Sequence, residues 1–201
     1  MTSNLNDTTP QDHIDQVFTK QELVKKVIEN KRFENCKFEH CQFDETIFLG
    51  CKFVDCEFID CTLNNIKITN TTWNNVVFER CKMLGINWAE AKWPQIKLNC
   101  PIHFYTCDLS YSSFFGLELV DIHIQECKTH DVDFREADLS SGHFVSTDFL
   151  NSQFGKTNLS SADFSDAINY FIDPTKNNIK KCTFSEPEVI NLLHAFDIVI
   201  K

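Results

Sequence analysis

Glycine and proline are scarce in this chain, five residues of each in 201. There is accordingly no Gly-rich phosphate loop and no Gly-x-Gly-x-x-Gly turn, and a His-Glu-x-x-His pair is missing as well. No stretch of 18 apolar residues exists, which excludes a membrane-spanning helix. Basic residues are outnumbered, 19 Lys and Arg against 29 Asp and Glu, for a formal charge of −10. That sign opposes direct nucleic-acid binding, because phosphates need the opposite one. Residues 1–30 are polar and carry Asp7, Asp12, Asp15 and Glu22, so no secretory leader is read there and a cytoplasmic location is expected. Thiols stay reduced in that compartment, so the ten cysteines are not read as a disulfide scaffold. No catalytic constellation remains; the chain is read as a non-enzyme that uses no cofactor and no metal.

What the chain does have is a period. A large apolar residue returns every fifth position from Phe33 to Leu98, through Phe38, Phe43, Phe48, Phe53, Phe58 and onward. One residue out of step, the pattern resumes at Phe104 and runs to Phe164; of 27 centres only Thr129 is not apolar. Five matches neither a helix nor a strand, so it is the length of a repeat unit. Two positions before the centres from Phe38 onward stands a small or β-branched residue, Leu117 excepted, and eight of the ten cysteines occupy that place. One large and one small inward residue in every five describe a chain wound round a narrow, dense core. The Cys-x4-Cys series lacks the shorter knuckle spacing of a zinc site, so these thiols are read as small buried hydrophobes. The change of step falls at Asn99-Cys100-Pro101-Ile102, where Pro101 lacks an N–H, and a bulge or slight kink is expected.

Segments such as Cys36-Lys37-Phe38-Glu39-His40, Ala137-Asp138-Leu139-Ser140-Ser141 and Ala162-Asp163-Phe164-Ser165-Asp166 resemble the A(D/N)LXX unit of the pentapeptide repeat proteins. The resemblance implies an all-β fold, a right-handed quadrilateral β-helix with four pentapeptides per coil and about seven coils over residues 31–166. Residues 1–30 are expected to cap the first coil, with Thr19-Lys20-Gln21-Glu22 as a capping box opening a short helix. Residues 167–201 are expected to close the other end. There Ser185-Glu186-Pro187-Glu188 has capping-box form, and Val189, Leu192, Leu193 and Phe196 follow as one apolar stripe. Ile198-Val199-Ile200 reads as a terminal strand. This tail resembles that of pentapeptide repeat proteins of the quinolone-resistance type. The resemblance implies a homodimer held by Val189, Leu192, Leu193, Phe196, Ile198 and Ile200.

Charge is uneven along the repeat. Residues 31–100 hold nine acids and nine bases, whereas residues 101–166 hold eleven acids and three bases. Resemblance to the quinolone-resistance and microcin-immunity branch implies a DNA-mimicking partner of a type II topoisomerase, DNA gyrase or topoisomerase IV. Its acidic contacts are then Asp121, Glu126, Asp131, Asp133, Glu136 and Asp138. The alternative is a structural or scaffolding solenoid for an unrelated protein, its acids serving solubility and discouraging edge pairing. The quinolone-resistance type carries projecting loops; with one residue added at the step and none elsewhere, this chain looks loop-free, which favours binding or inhibition over drug protection. His103, His123 and His143 recur at intervals of twenty, one coil apart in this fold. Stacked neutral imidazoles can bind a metal ion or repel one another when protonated; the ladder is read as an outward row without a specific role.

Overall fold

A computed structural model describes residues 12–94, 100–196 and 198. It is a parallel β-solenoid of about eight turns with four faces per turn. Short strands stack directly above one another. Asp12–Ile14, Arg32–Glu34, Lys52–Val54 and Thr72–Asn74 line one face, and Val17–Thr19, Lys37–Glu39, Glu57–Ile59, Val76–Glu79, Ile102–Tyr105 and Ile124–Gln125 the next. Isolated bridges such as Gln42↔Thr62 and Asp133↔Gln153 continue the ladders on the other two.

The five-residue unit makes this shape because each unit turns one corner. The residue two places after most centres has left-handed backbone, for example Asn35 at φ 51° and Glu136 at φ 59°. An L-residue is disfavoured there by about 1–2 kcal/mol, least so for Asn and Asp, whose short polar side chains bond locally. With glycine at few corners, side chains offset the cost across coils: Asn35 Nδ2 donates to Asp15 Oδ1 at 2.6 Å and Asn75 Nδ2 to Asp55 Oδ1 at 2.7 Å.

Inside, the centres form columns of rings. Phe38, Phe58, Phe78 and Phe104 stack at 4.5, 4.9 and 5.3 Å between centroids, and Phe33, Phe53 and Trp73 at 4.9 and 4.6 Å. The small inward position does more than fill space. Its thiol or hydroxyl donates to a carbonyl in the coil below: Cys41 Sγ to Phe18 O, Cys61 Sγ to Phe38 O, Thr71 Oγ1 to Phe48 O and Thr147 Oγ1 to Ile124 O. Neighbouring thiols, with burial, push Cys41, Cys61 and Cys81 above the ordinary thiol range, burial first does so for Cys107, and the adjacent Cys56 thiol lowers Cys36. Thr71→Val keeps the volume but leaves the Phe48 carbonyl without this donor, and is expected to cost about 1–3 kcal/mol in urea unfolding. An unchanged midpoint would show that the clip is idle.

Three expectations need correction. No helix opens at Thr19: Val17–Thr19 is a strand paired with Lys37–Glu39, and Glu22 bridges Gln42. His13, Phe18, Leu23 and Ile28 are buried at the fivefold spacing, so the solenoid is already running at residue 12 instead of being capped up to residue 30. The signal was hidden because Gln16, Gln21 and Lys26 replace the small residue two places before each centre. At the other end, Ala167, Ile172 and Phe184 carry the core beyond residue 166, and Thr183–Phe184 pairs with Asp163–Phe164.

The step near Pro101 is larger than a bulge. Partners lie 20 residues apart below it (Glu57↔Val77) and above it (Asp108↔Lys128), but 26 apart across it (Val76↔Ile102, Lys82↔Asp108, Asn87↔Ser113). Six residues are inserted between Lys92, whose N–H donates to Thr71 O, and Ile102. Six is one repeat plus one, so counting by fives registers only the one. Trp93, read as a core centre, is half-buried and donates its indole N–H to Trp88 O at 3.0 Å. Leu98 lies outside the described residues. The expectation of a loop-free rod fails with this insertion.

Candidate interaction surface

The six acids singled out above do not share one face. Asp121, Glu126 and Asp131 occupy three successive corners, at φ 64°, 53° and 55°, and Glu136 the fourth. Asp133 and Asp138 sit on the two faces flanking that fourth corner, bridged to Gln153 and Asn158. The set therefore winds once round the rod, because one residue in five is one residue per corner.

Their electrostatic surroundings differ. Arg135 clamps Asp133, Nη2 to Oδ2 at 2.7 Å, and holds its carboxyl below the usual range. Lys156 Nζ lies 3.1 Å from Glu136 Oε1. Asp138 accepts from Ser140 and Asn158. Around the corner of Asp121 a tighter group forms. Glu118 and Asp138 are bridge partners on the adjoining face, and Asp121 N–H donates to Ser140 O at 2.9 Å. Glu118 belongs to this group, though neighbours along the chain do not reveal it; only the 20-residue ladder brings it to Asp138.

Past that corner comes the histidine row. His103, His123 and His143 stack with centroids 4.7 and 4.4 Å apart. Tyr105 Oη is 2.8 Å from His123 Nδ1, His103 Nδ1 accepts the His123 backbone N–H at 3.2 Å, and His143 Nε2 is 3.5 Å from Asp121 Oδ1. Burial first, and then a neighbouring imidazole, lowers the pKa of His103 and of His123. Both rings should thus titrate below 6.5, the ordinary value. The unfolded chain then binds protons more readily than the folded one, so this contribution to stability is present above pH 6.5 and is lost as pH falls through the lowered midpoints. Proton NMR of the ring Cε1–H resonances checks it; midpoints at or above 6.5 would contradict the burial argument.

The C-terminal segment departs from the expected stripe. Glu188–Phe196 is a 3-10 helix, with three residues per turn rather than 3.6. Val189 and Leu192 then form one line and Ile190, Leu193 and Phe196 the next. Val189 and Leu192 pack on the core, Leu192 being 8% exposed, whereas Leu193 and Phe196 are 39% and 48% exposed. Ser185 does not cap this helix in the expected way; its hydroxyl accepts the Asp166 N–H from the coil below. Ile198 is exposed, and Val199 and Ile200, with the expected strand, lie outside the described residues.

A recess of about 300 Å³ is lined by Asp15, Gln16, Val17, Asn35, Cys36, Lys37, Asp55 and Glu57. Among the described residues no helix is long and apolar enough to cross a membrane.

A four-faced solenoid with side-chain ladders on its outside and a continuous apolar column within is a repeat scaffold. Residues 31–101 match the family described as "Pentapeptide repeat region", and residues 130–168 match "Pentapeptide repeats (8 copies)". The chain belongs to the pentapeptide repeat proteins.

Among solved structures it is similar to two trypsin-treated forms of QnrB1, a plasmid-mediated fluoroquinolone resistance protein. Identity is 16% for both. The TM-scores are 0.54 and 0.55, covering 96% and 95% of this chain and 98% and 100% of theirs. HetL, a pentapeptide repeat protein involved in heterocyst differentiation regulation from the cyanobacterium Nostoc, aligns at 14% identity and TM-score 0.42, over 86% of this chain and 82% of its own. At these identities the likeness is one of fold. No curated protein matches the chain.

Proposed function

We propose that this chain is a non-enzymatic interaction protein that binds a type II topoisomerase, DNA gyrase or topoisomerase IV, in the manner of a DNA mimic. The observation that carries the reading is the surplus of acid over base in residues 101–166, eleven against three, on a rod whose fold is that of a fluoroquinolone resistance protein. Carboxylates repeated at the coil spacing of about 4.8 Å stand in for backbone phosphates. Glu118, Asp121 and Asp138, gathered at one corner, are the first contacts of choice from this geometry; Glu126, Asp131, Asp133 and Glu136 point to other sides. The six-residue insertion removes the reason for preferring inhibition over drug protection, so both activities follow from the same surface. A supercoiling assay with purified gyrase, with and without a quinolone, tests the reading: inhibition or protection supports it. No effect at protein concentrations well above the enzyme's favours the scaffolding role for another partner.

The same reading includes a homodimer joined through the C-terminal segment. Ile190, Leu193, Phe196 and Ile198 leave apolar surface at the rod's end, where a second copy covers it. Because Leu193 and Phe196 face outward, the pair Leu193→Asp and Phe196→Asp is expected to halve the solution mass while leaving the fold intact. Sedimentation equilibrium decides it, and a one-chain mass for the unaltered protein would end the dimer reading.

A further inference from the structure

The histidine row places metal-ligand chemistry where nothing in the topoisomerase reading needs it. His123 and His143 are bridge partners on adjacent coils of one face, their rings tilted by 56° with centroids 4.4 Å apart. Asp121, at the corner two residues before His123, brings its carboxylate to 3.5 Å from His143 Nε2. One ligand atom from each of Asp121, His123 and His143 lies within 4.8 Å of the other two. We propose that Asp121, His123 and His143 form a zinc-binding site in which Tyr105 positions the His123 ring.

The geometry is that of an open zinc site, with two imidazole nitrogens and one carboxylate as protein ligands and a fourth place for water. Adjacent coils hold side chains about 4.8 Å apart. A zinc ion between the two rings needs nitrogens about 2.0–2.1 Å away, so small rotations of His143 and Asp121 close the site without moving backbone. The outer shell is present too. A metal-bound imidazole normally gives its other N–H to a fixed acceptor, and Tyr105 Oη sits 2.8 Å from His123 Nδ1, which leaves Nε2 for the ion. His103, packed 4.7 Å from His123, uses its Nδ1 to accept the His123 backbone N–H and walls the site on one side. Asp163, the next ladder member beyond His143, borders it on the other. Two nitrogens with one carboxylate favour zinc over magnesium or calcium, which prefer all-oxygen sites.

The test is titration of the tag-free, chelator-treated full chain with zinc chloride by isothermal titration calorimetry, with cobalt(II) chloride as a spectroscopic reporter. One zinc per chain is expected, with a cobalt visible spectrum of tetrahedral type. His123→Gln, His143→Gln and Asp121→Asn should each weaken binding about tenfold or more, and Tyr105→Phe should weaken it measurably. Asp121 is exposed, so its variant reads ligation without a packing change. His130→Gln is the control. His130 pairs with Asp148 at 2.8 Å on another face, and its loss should leave zinc uptake unchanged. No stoichiometric zinc in the unaltered chain would overturn the proposal. So would unchanged affinity in the Asp121, His123 and His143 variants, or an equal loss in the His130 control. The readout is independent of any topoisomerase effect.

Discussion

Phe58→Ala is expected to lower the unfolding free energy by about 3–5 kcal/mol, the range for deleting a fully buried ring. Phe58 is 0% exposed and sits at the junction of two aromatic columns. It stacks on Phe38 at 4.5 Å and Phe78 at 4.9 Å, and meets Phe43 and Phe53 edge-on at 6.1 and 5.6 Å. A solenoid cannot close that gap by shifting one element, because each coil is pinned to the next by ladder bonds on every face. In repeat proteins stability is a sum of unit and neighbour terms. The loss should therefore appear as early melting of the coils around residues 38–78, ahead of the C-terminal half. Urea unfolding followed by hydrogen exchange checks both size and place. A cost under about 1 kcal/mol would mean that the columns are loosely packed. Phe154, half-buried near the far end, is the matched comparison and should cost less.

The second large effect concerns charge. Replacing Glu118, Asp121 and Asp138 together by Gln, Asn and Asn should weaken association with gyrase about tenfold or more, chiefly through the on-rate, because a focused field steers encounter by 10–10³-fold. The companion triple change Glu126→Gln, Asp131→Asn and Asp133→Asn removes the same formal charge from scattered sides, one of them already paired with Arg135. It should do clearly less. Surface plasmon resonance at two ionic strengths separates the sets, and equal losses would show that net charge, not the corner, is what a partner senses.

How much of this was legible beforehand follows from the period. A spacing of five states which residues face inward, so the centres from Phe33 to Phe164 and the cysteines two places before them are core, except the half-buried Trp93 and Phe154 and Leu98, which lies outside the described residues. The same arithmetic misled wherever it was taken modulo five: an insertion of six at residues 93–101 looked like one, and the solenoid's start at His13 was missed because Gln16, Gln21 and Lys26 are too large and polar to look inward. Grouping of acids was not readable from neighbours in sequence. Asp121 to Asp138 look like a cluster on the page but turn every corner in space, whereas Glu118 and Asp138, twenty residues apart, touch rows. The C-terminal stripe failed for a similar reason, since a 3.6-residue period merges two lines that a three-residue period keeps apart.

We propose that this acidic solenoid occupies a topoisomerase's DNA-binding surface. The most direct test is binding of purified gyrase to the immobilised full chain in the presence of increasing linear duplex DNA. Binding that duplex DNA displaces in competition is expected. Absence of binding, or binding that saturating DNA leaves unchanged, would contradict it.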